Sequence, residues 1–357
     1  MKHRILAGTD LSLSEVGFGV WSVSTNWWGE VREEDGISLL RKAFEKGITF
    51  FDTADTYGEG YGEEILGKAL GNSRKDIVIG TKFGYDLDAT REARHQERPQ
   101  DWSPAFMKAA CDKSLARLQT DYIDLYQMHN SRLTAIQRDD TVAALDDLRD
   151  AGKIRHWGVA VGPDIGWIEE GEYTLRNRRV PAQIIYSILE QDPADRFITA
   201  ATESNVGVFC RVPHASGMLD GTYTKDTQLD TMPFDSDDHR SYRRMQWLKQ
   251  SIEKLRRIDF LIAGKDATVG QIAIKFCLTP PIMASCVPTI TNEQELDEYV
   301  AAPDTDELPV EELERLSVLY ADNFGVGEKD PMKSSHSPTG WVNTENSPVE
   351  RHIPARR

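Results

Sequence analysis

Four polar residues, each ending or following its own apolar run, form a set that could deliver a proton to an oxygen. After Thr49-Phe-Phe comes Asp52, and beyond it Tyr57 in the stretch Asp55-Thr-Tyr-Gly58. Lys82 closes the run Ile77-Val-Ile-Gly-Thr, and His129 closes the run Tyr122-Ile-Asp-Leu-Tyr-Gln-Met. A free phenol has a pKa of about 10 and is a reluctant acid at neutral pH. A nearby ammonium favours the phenolate, and a carboxylate keeps that ammonium charged and in place. The imidazole could orient a carbonyl oxygen or relay the proton. Such a set suits protonation of an oxygen while hydride arrives at its carbon. It offers no activated Ser or Cys nucleophile and no metal-ligand cluster. Taken singly, Asp52 and Lys82 read as an ordinary ion pair and His129 as a half-buried structural histidine; joint occurrence is what favours chemistry.

The elements that would carry these residues alternate along the chain. Short apolar runs read as buried parallel strands at Glu15–Phe18, Thr49–Asp52, Ile77–Thr81, Tyr122–Gln127, His156–Val159, Gln183–Tyr186, Val206–Cys210 and Met283–Val287. Between them lie helical patterns with readable punctuation. Ile37, Leu40 and Phe44 share a face and Gly47 stands as a C′ residue. Ser103-Pro104 reads as an N-cap with Pro at N1, followed by Phe106, Ala110, Ser114 and Leu118 at helical spacing. The pattern Thr141–Ala151 ends at Gly152, and Gln271–Leu278 stops before Pro280-Pro281. Eight such units point to a closed (β/α)8 TIM barrel in one domain over residues 1–325. An open doubly wound sheet is disfavoured because no G-x-G-x-x-G turn follows the first strand. Arg4–Leu6 and Leu11–Leu13 flank Ala-Gly-Thr-Asp and read as an N-terminal β-hairpin. Residues 326–357 read as a polar C-terminal tail, extended or disordered.

Composition narrows the function classes. The 357 residues carry 42 basic and 58 acidic side chains, a net charge of −16. A nucleic-acid partner would call for a basic face, which this chain lacks. No apolar window approaches the length of a membrane span, and the N-terminus lacks a signal-peptide pattern. Four scattered cysteines without a C-x-x-C pair read as reduced residues of a cytoplasmic protein rather than a disulfide frame or zinc site.

The strings Asp52-Thr-Ala-Asp-Thr-Tyr-Gly58, Gly80-Thr-Lys-Phe-Gly84 and Asp124-Leu-Tyr-Gln-Met-His129 resemble the aldo-keto reductase family. So do Gly17-Phe-Gly-Val-Trp21 and Gly62-Glu-Glu-Ile-Leu-Gly67, and the likeness runs from about Leu11 to Tyr320. The resemblance implies a barrel binding NADP or NAD across its mouth, acting on a small-molecule carbonyl or alcohol. By position, it makes Tyr57 the general acid/base, Lys82 the group that tunes it, Asp52 the partner of Lys82 and His129 the carbonyl orienter. Gln183 matches the glutamine that bonds the nicotinamide carboxamide. Gly19, Val20 and Trp21 fall beside the cofactor. Pro213, Gly217 and Leu219 belong to the loop that embraces the pyrophosphate. Trp21 and the pair Trp27-Trp28 fall where relatives line the substrate pocket.

Three departures from the family pattern stand out. Ser-Asn usually follows the fifth strand and holds the carboxamide; here Ala160-Val161 follows, leaving more to Gln183. Arg211 replaces the aromatic ring that stacks on the nicotinamide, and its planar guanidinium could stack instead, or pair with an acidic neighbour. After the eighth strand, Pro288-Thr-Ile-Thr-Asn-Glu-Gln-Glu295 contains no base for a 2′-phosphate. Glu295 would repel such a phosphate but could accept from a ribose hydroxyl, which makes NAD plausible; it could equally cap a helix from Asn292. The charged insertion Tyr85–Trp102 is expected to form a lid or part of the pocket wall. The alternatives are a non-catalytic nicotinamide-binding subunit, as in the potassium-channel beta subunits that share this barrel, and an isomerase using the nicotinamide transiently. Oligomeric state and substrate identity are not legible.

Overall fold

The computed structural model describes residues 1–90, 98–162, 167–231, 233–234, 238, 240 and 245–327. The polar tail beyond residue 327 and the middle of the 85–102 insertion lie outside the described residues.

A hairpin opens the chain: β1 (His3–Ile5) pairs antiparallel with β2 (Ser12–Ser14). Eight parallel strands follow: β3 (Phe18–Gly19), β4 (Phe50–Asp52), β5 (Val78–Phe83), β6 (Ile123–His129), β7 (Ile154–Ala160), β8 (Ala182–Ile185), β9 (Val208–Arg211) and β10 (Met283–Val287). Each pairs with the next in sequence order, as strand–helix–strand crossovers require. The ring closes where Gly17 N donates to Cys286 O at 2.9 Å and Cys286 N to Glu15 O at 2.8 Å. All eight expected strands are present. Met283–Val287 is as expected and the other ends differ by up to three residues, because pairing to the neighbour, not apolarity alone, sets where a strand stops. His129 and Ala160 extend their strands by pairing with each other.

Helices cover the outside, and the capping residues act as read. Ser103 Oγ accepts from Phe106 N at 3.4 Å, with Pro104 opening the helix Pro104–Leu118. Thr268 and Gln271 form a capping box at the start of helix Val269–Cys277. Each such cap is worth about 1 kcal/mol. Gly47, at φ +93°, ends the helix Glu33–Glu45 in the left-handed region that glycine tolerates.

Alternation along the strands divides the molecule into two cores. Phe51, Ile79, Tyr126, Val159, Ile184 and Cys210 face outward and pack against the helices. Phe50, Leu125, Phe209, Ala284 and Val287 join Leu6, Leu11 and Leu13 of the hairpin region in a second buried cluster. The hairpin thus floors the barrel with leucines. Two residues further along the same inward rows stand Asp52 after Phe50, Gln127 and His129 after Leu125, and Arg211 after Phe209. The interior changes from apolar to polar toward the C-terminal ends of the strands, where barrel enzymes place their chemistry.

Candidate active site

Strand register brings the expected residues together. Asp52 pairs across β4–β5 with Gly80, and Lys82 pairs across β5–β6 with Gln127. A side chain at Gly80 would meet Phe50, Gln127 and Asp52 within 3.5 Å. Its absence gives the polar layer room. Lys82 is fully buried, yet all three of its ammonium donors are used. They go to Asp52 Oδ2 at 2.6 Å, Thr53 O at 2.8 Å and Tyr57 Oη at 3.1 Å. Gln127 Nε2 donates to Asp52 Oδ1 at 3.2 Å, so both carboxylate oxygens are engaged.

Tyr57 lies in the turn after β4. Gly58 and Gly60 adopt positive φ there, and a Cβ on Gly58 would sit 2.4 Å from Ser24 O. The backbone can make this tight turn only with glycine at that point. The phenol ring stacks on Trp21, with centroids 5.6 Å apart and planes 17° apart. It meets the edge of His129 at 6.2 Å. His129 is flanked on its other side by Tyr85, at 5.3 Å and 80°. Burial, then the charges of Lys82 and Arg211, push the His129 imidazole well below its ordinary value. The ring is therefore neutral at neutral pH, and its Nδ1 has no hydrogen-bond partner among the described residues.

The expected cofactor residues lie along the same mouth. Gln183 and Ala160 are paired neighbours on β8 and β7, and Arg211 ends β9. Arg211 donates to Gln183 Oε1 at 3.3 Å and to Val161 O at 3.1 Å. It thereby reaches over the stretch where Ser-Asn is replaced by Ala160-Val161. This arrangement leaves Gln183 Nε2 buried without a partner among the described residues. Such a group costs about 1–3 kcal/mol unless something accepts from it. Pro213, Gly217 and Leu219 sit in a buried turn, with Gly217 at φ +89°. Glu295 turns back on the residue before the cap rather than closing a capping box with Asn292: its carboxylate accepts from Thr291 N at 2.6 Å and Thr291 Oγ1 at 2.9 Å. Asn292 caps the helix Glu293–Val300 in turn, accepting from Glu295 N at 3.0 Å. Gly19 and Val20 lead directly into Trp21, and Val20 N donates to Asp52 O at 2.9 Å. Trp28 is placed under the Arg240 guanidinium, 4.8 Å from its ring centre.

Several site residues escaped the sequence reading. Gln127 was recoverable, since it precedes His129 by two and so shares its face. Tyr85 and Asn130, joined by a 3.0 Å bond from Asn130 Nδ2 to Tyr85 Oη, stand beside His129 with no pattern to mark them. Arg240 lies in a polar loop without periodicity. It is held by Asp238 at 2.7 Å, and a Cβ on Gly217 would sit 2.9 Å from its guanidinium.

The residues present fit a nicotinamide dinucleotide. Gln183 offers an unused amide donor, Arg211 a planar cation beside it, and Arg240 a cation over the Gly217 turn. No helix among the described residues is long and apolar enough to cross a membrane.

Comparison with known proteins agrees with this architecture. The model of the aldo/keto reductase family matches residues 15–321. An uncharacterized oxidoreductase, YqkF of Bacillus subtilis, is 30% identical over 88% of this chain and 95% of its own. The NADH-specific methylglyoxal reductase of Escherichia coli is 28% identical over 85% of this chain and 93% of its own. Among solved structures, the holo form of aldo-keto reductase AKR11C1 from Bacillus halodurans superposes with a TM-score of 0.72. Its identity is 28%, and the match covers 89% of this chain and 96% of that one. The chain belongs to the aldo-keto reductase family, NAD(P)-dependent oxidoreductases built on a (β/α)8 barrel.

Proposed function

We propose that this protein interconverts a small polar carbonyl compound and its alcohol, with Tyr57 as general acid/base. The observation that carries the reading is the direction of one hydrogen bond. Lys82 Nζ donates to the phenol oxygen, so that oxygen is an acceptor and its own hydrogen is free to point into the mouth. In the reducing direction Tyr57 gives that proton to the carbonyl oxygen, and the resulting phenolate is stabilised by the ammonium 3.1 Å away. Asp52 and Thr53 O hold the ammonium in place. His129, kept neutral, orients the carbonyl oxygen toward Tyr57. Trp21, stacked on Tyr57, forms one wall of the substrate site, and Trp28 lies toward the Gly217 turn. A bound nicotinamide would supply or accept the hydride. Gln183 would hold its carboxamide, Arg211 would lie against its ring, and Gly19, Val20, Pro213, Gly217, Leu219 and Arg240 would border the rest.

The same reading favours NAD over NADP. The turn after β10 presents Glu295 and no Lys or Arg, so a 2′-phosphate would meet negative charge. The protein works as a cytoplasmic enzyme without nucleic-acid or membrane partners. A panel of hydroxy-aldehydes, ketoaldehydes and sugars, assayed with NADH and with NADPH, tests the proposal. Turnover of at least one small polar carbonyl, better with NADH, is expected. Cofactor binding without turnover of any member would instead support a regulatory cofactor-binding subunit.

A further inference from the structure

Three of the four cysteines, far apart in sequence, meet in the fold. Cys210 on β9 and Cys286 on β10 are in-register neighbours on adjacent parallel strands. Cys277 is the last residue of the helix Val269–Cys277, which packs against β10. Their sulfurs all lie within 4.8 Å of one another, and all three residues are fully buried free thiols. Cys277 Sγ donates to Tyr186 O at 3.2 Å, and the stacked rings of Tyr186 and Phe276 lie alongside. The catalytic reading uses none of these groups.

The geometry is that of a three-coordinate sulfur site. Bonds of about 2.3 Å to a central atom place three sulfurs about 4 Å apart, so closure needs movements of roughly 1 Å or less. Charge decides which ion fits. The influences on the three sulfurs come from burial, from one another and, at Cys210, from a backbone bond; no ammonium, guanidinium or carboxylate of the described residues is among them. Three thiolates around a monovalent or divalent cation would leave net negative charge in this apolar place, which is costly. Around a trivalent centre the product is neutral.

We propose that Cys210, Cys277 and Cys286 form a binding site for a thiophilic trivalent metalloid of the arsenic(III) class. The exchange is balanced without any redox partner: arsenous acid, As(OH)3, and three thiols give one arsenic tris-thiolate and three waters. Three S–H and three As–O bonds break, three As–S and three O–H bonds form, and arsenic keeps its oxidation state. The bound centre ties the end of the helix to β9 and β10, one residue before Arg211. Entry requires the helix end to lift, so uptake is slow.

The test is native mass spectrometry of the intact, phosphine-reduced protein after incubation with sodium arsenite and removal of the excess. The expected result is one adduct, heavier by one arsenic less three hydrogens, in the unaltered protein and in Cys111→Ser. Cys286→Ser should give at most a two-sulfur adduct, heavier by one AsOH less two hydrogens and lost at least tenfold faster. Should that variant fold poorly, Cys277→Ala at the helix end must show the same loss. Melting distinguishes a preformed native site from scavenging by unfolded thiols: arsenite should raise Tm in the unaltered protein and leave Cys286→Ser unchanged. A folded protein that takes up no arsenic, a three-hydrogen adduct persisting in Cys286→Ser, or a lowered Tm would each overturn the proposal.

Discussion

Replacing Lys82 by Met removes the centre of the polar layer while keeping its length. The ammonium lies 2.6 Å from Asp52 Oδ2, and both side chains are about 5% exposed or less. At an effective dielectric constant of about 20 their gross attraction is about 6 kcal/mol. Much of that offsets the cost of bringing both charges out of water. Removing one partner leaves the other buried and uncompensated, which costs about 3–5 kcal/mol. For a barrel of some 325 ordered residues the entropy of melting is about 0.7 kcal/mol per kelvin, so Tm should fall by about 6 °C. Adding Asp52→Asn removes the stranded charge, and the double variant should recover part of the loss. Carbonyl reduction by Lys82→Met should drop about 100- to 10,000-fold, since the phenolate of Tyr57 loses its stabilising charge. Thermal unfolding of the four species of the cycle, with steady-state rates, measures both. A Lys82→Met protein melting within a degree of the parent, or strictly additive losses in the double variant, would refute the argument that this pair is buried and coupled.

Stability should decline in mild acid. Burial pushes His129 well below its ordinary value and His214 down to about 4, beneath the value of about 6.5 in an unfolded chain. Between about pH 6.5 and 4 the unfolded chain therefore binds protons that the folded one refuses, and each histidine costs up to about 1.4 kcal/mol per pH unit. Urea titrations at stepped pH should show a shallower slope in His214→Phe than in the parent, a difference that isolates this histidine from Asp55, whose carboxyl burial raises and which acts in the opposite sense; an unchanged slope counts against it. Arg211→Ala should weaken NADH binding at least tenfold by fluorescence titration, since it removes the cation lying against Gln183. An unaltered Kd would mean that Arg211 only fastens Gln183 and Val161. Glu295→Arg should raise the NADPH to NADH ratio of kcat/KM at least tenfold, at about 1 kcal/mol in stability from the lost bonds to Thr291. A ratio that does not move would place the adenosine ribose elsewhere.

The barrel, and the meeting of four polar residues at its mouth, were legible because both depend largely on short-range pattern. Each apolar run names a strand, and a polar residue at its C-terminal end is directed to the mouth by period-two alternation. Asp52, Lys82 and His129 needed nothing more, whereas Tyr57 stands in the turn beyond β4 and was marked by the residues around it. Contacts made across the sequence were not legible. Whether Glu295 would meet a ribose or cap a helix depended on the conformation of Thr291 and Asn292; its carboxylate turns back on Thr291, while Asn292 caps the helix. Arg211 had an acidic neighbour as one expected partner, and its bonds to Gln183 and Val161 O, across the stretch that the missing Ser-Asn leaves free, could not be foreseen. Tyr85 and Arg240 arrive on loops, where neither periodicity nor capping limits what a side chain approaches. The three cysteines looked scattered because Cys277 stands 67 positions after Cys210, yet adjacent strands set Cys210 beside Cys286 and a helix end brings Cys277 to them.

One substitution bears most directly on the whole account. Tyr57→Phe removes a single oxygen and leaves the stack on Trp21 and the edge contact with His129 in place. With NADH affinity unchanged in a binding titration, single-turnover reduction of the best carbonyl substrate should slow by about 100- to 10,000-fold. A Tyr57→Phe enzyme that binds NADH and reduces that substrate within about tenfold of the parent rate would show that the proton comes from another group.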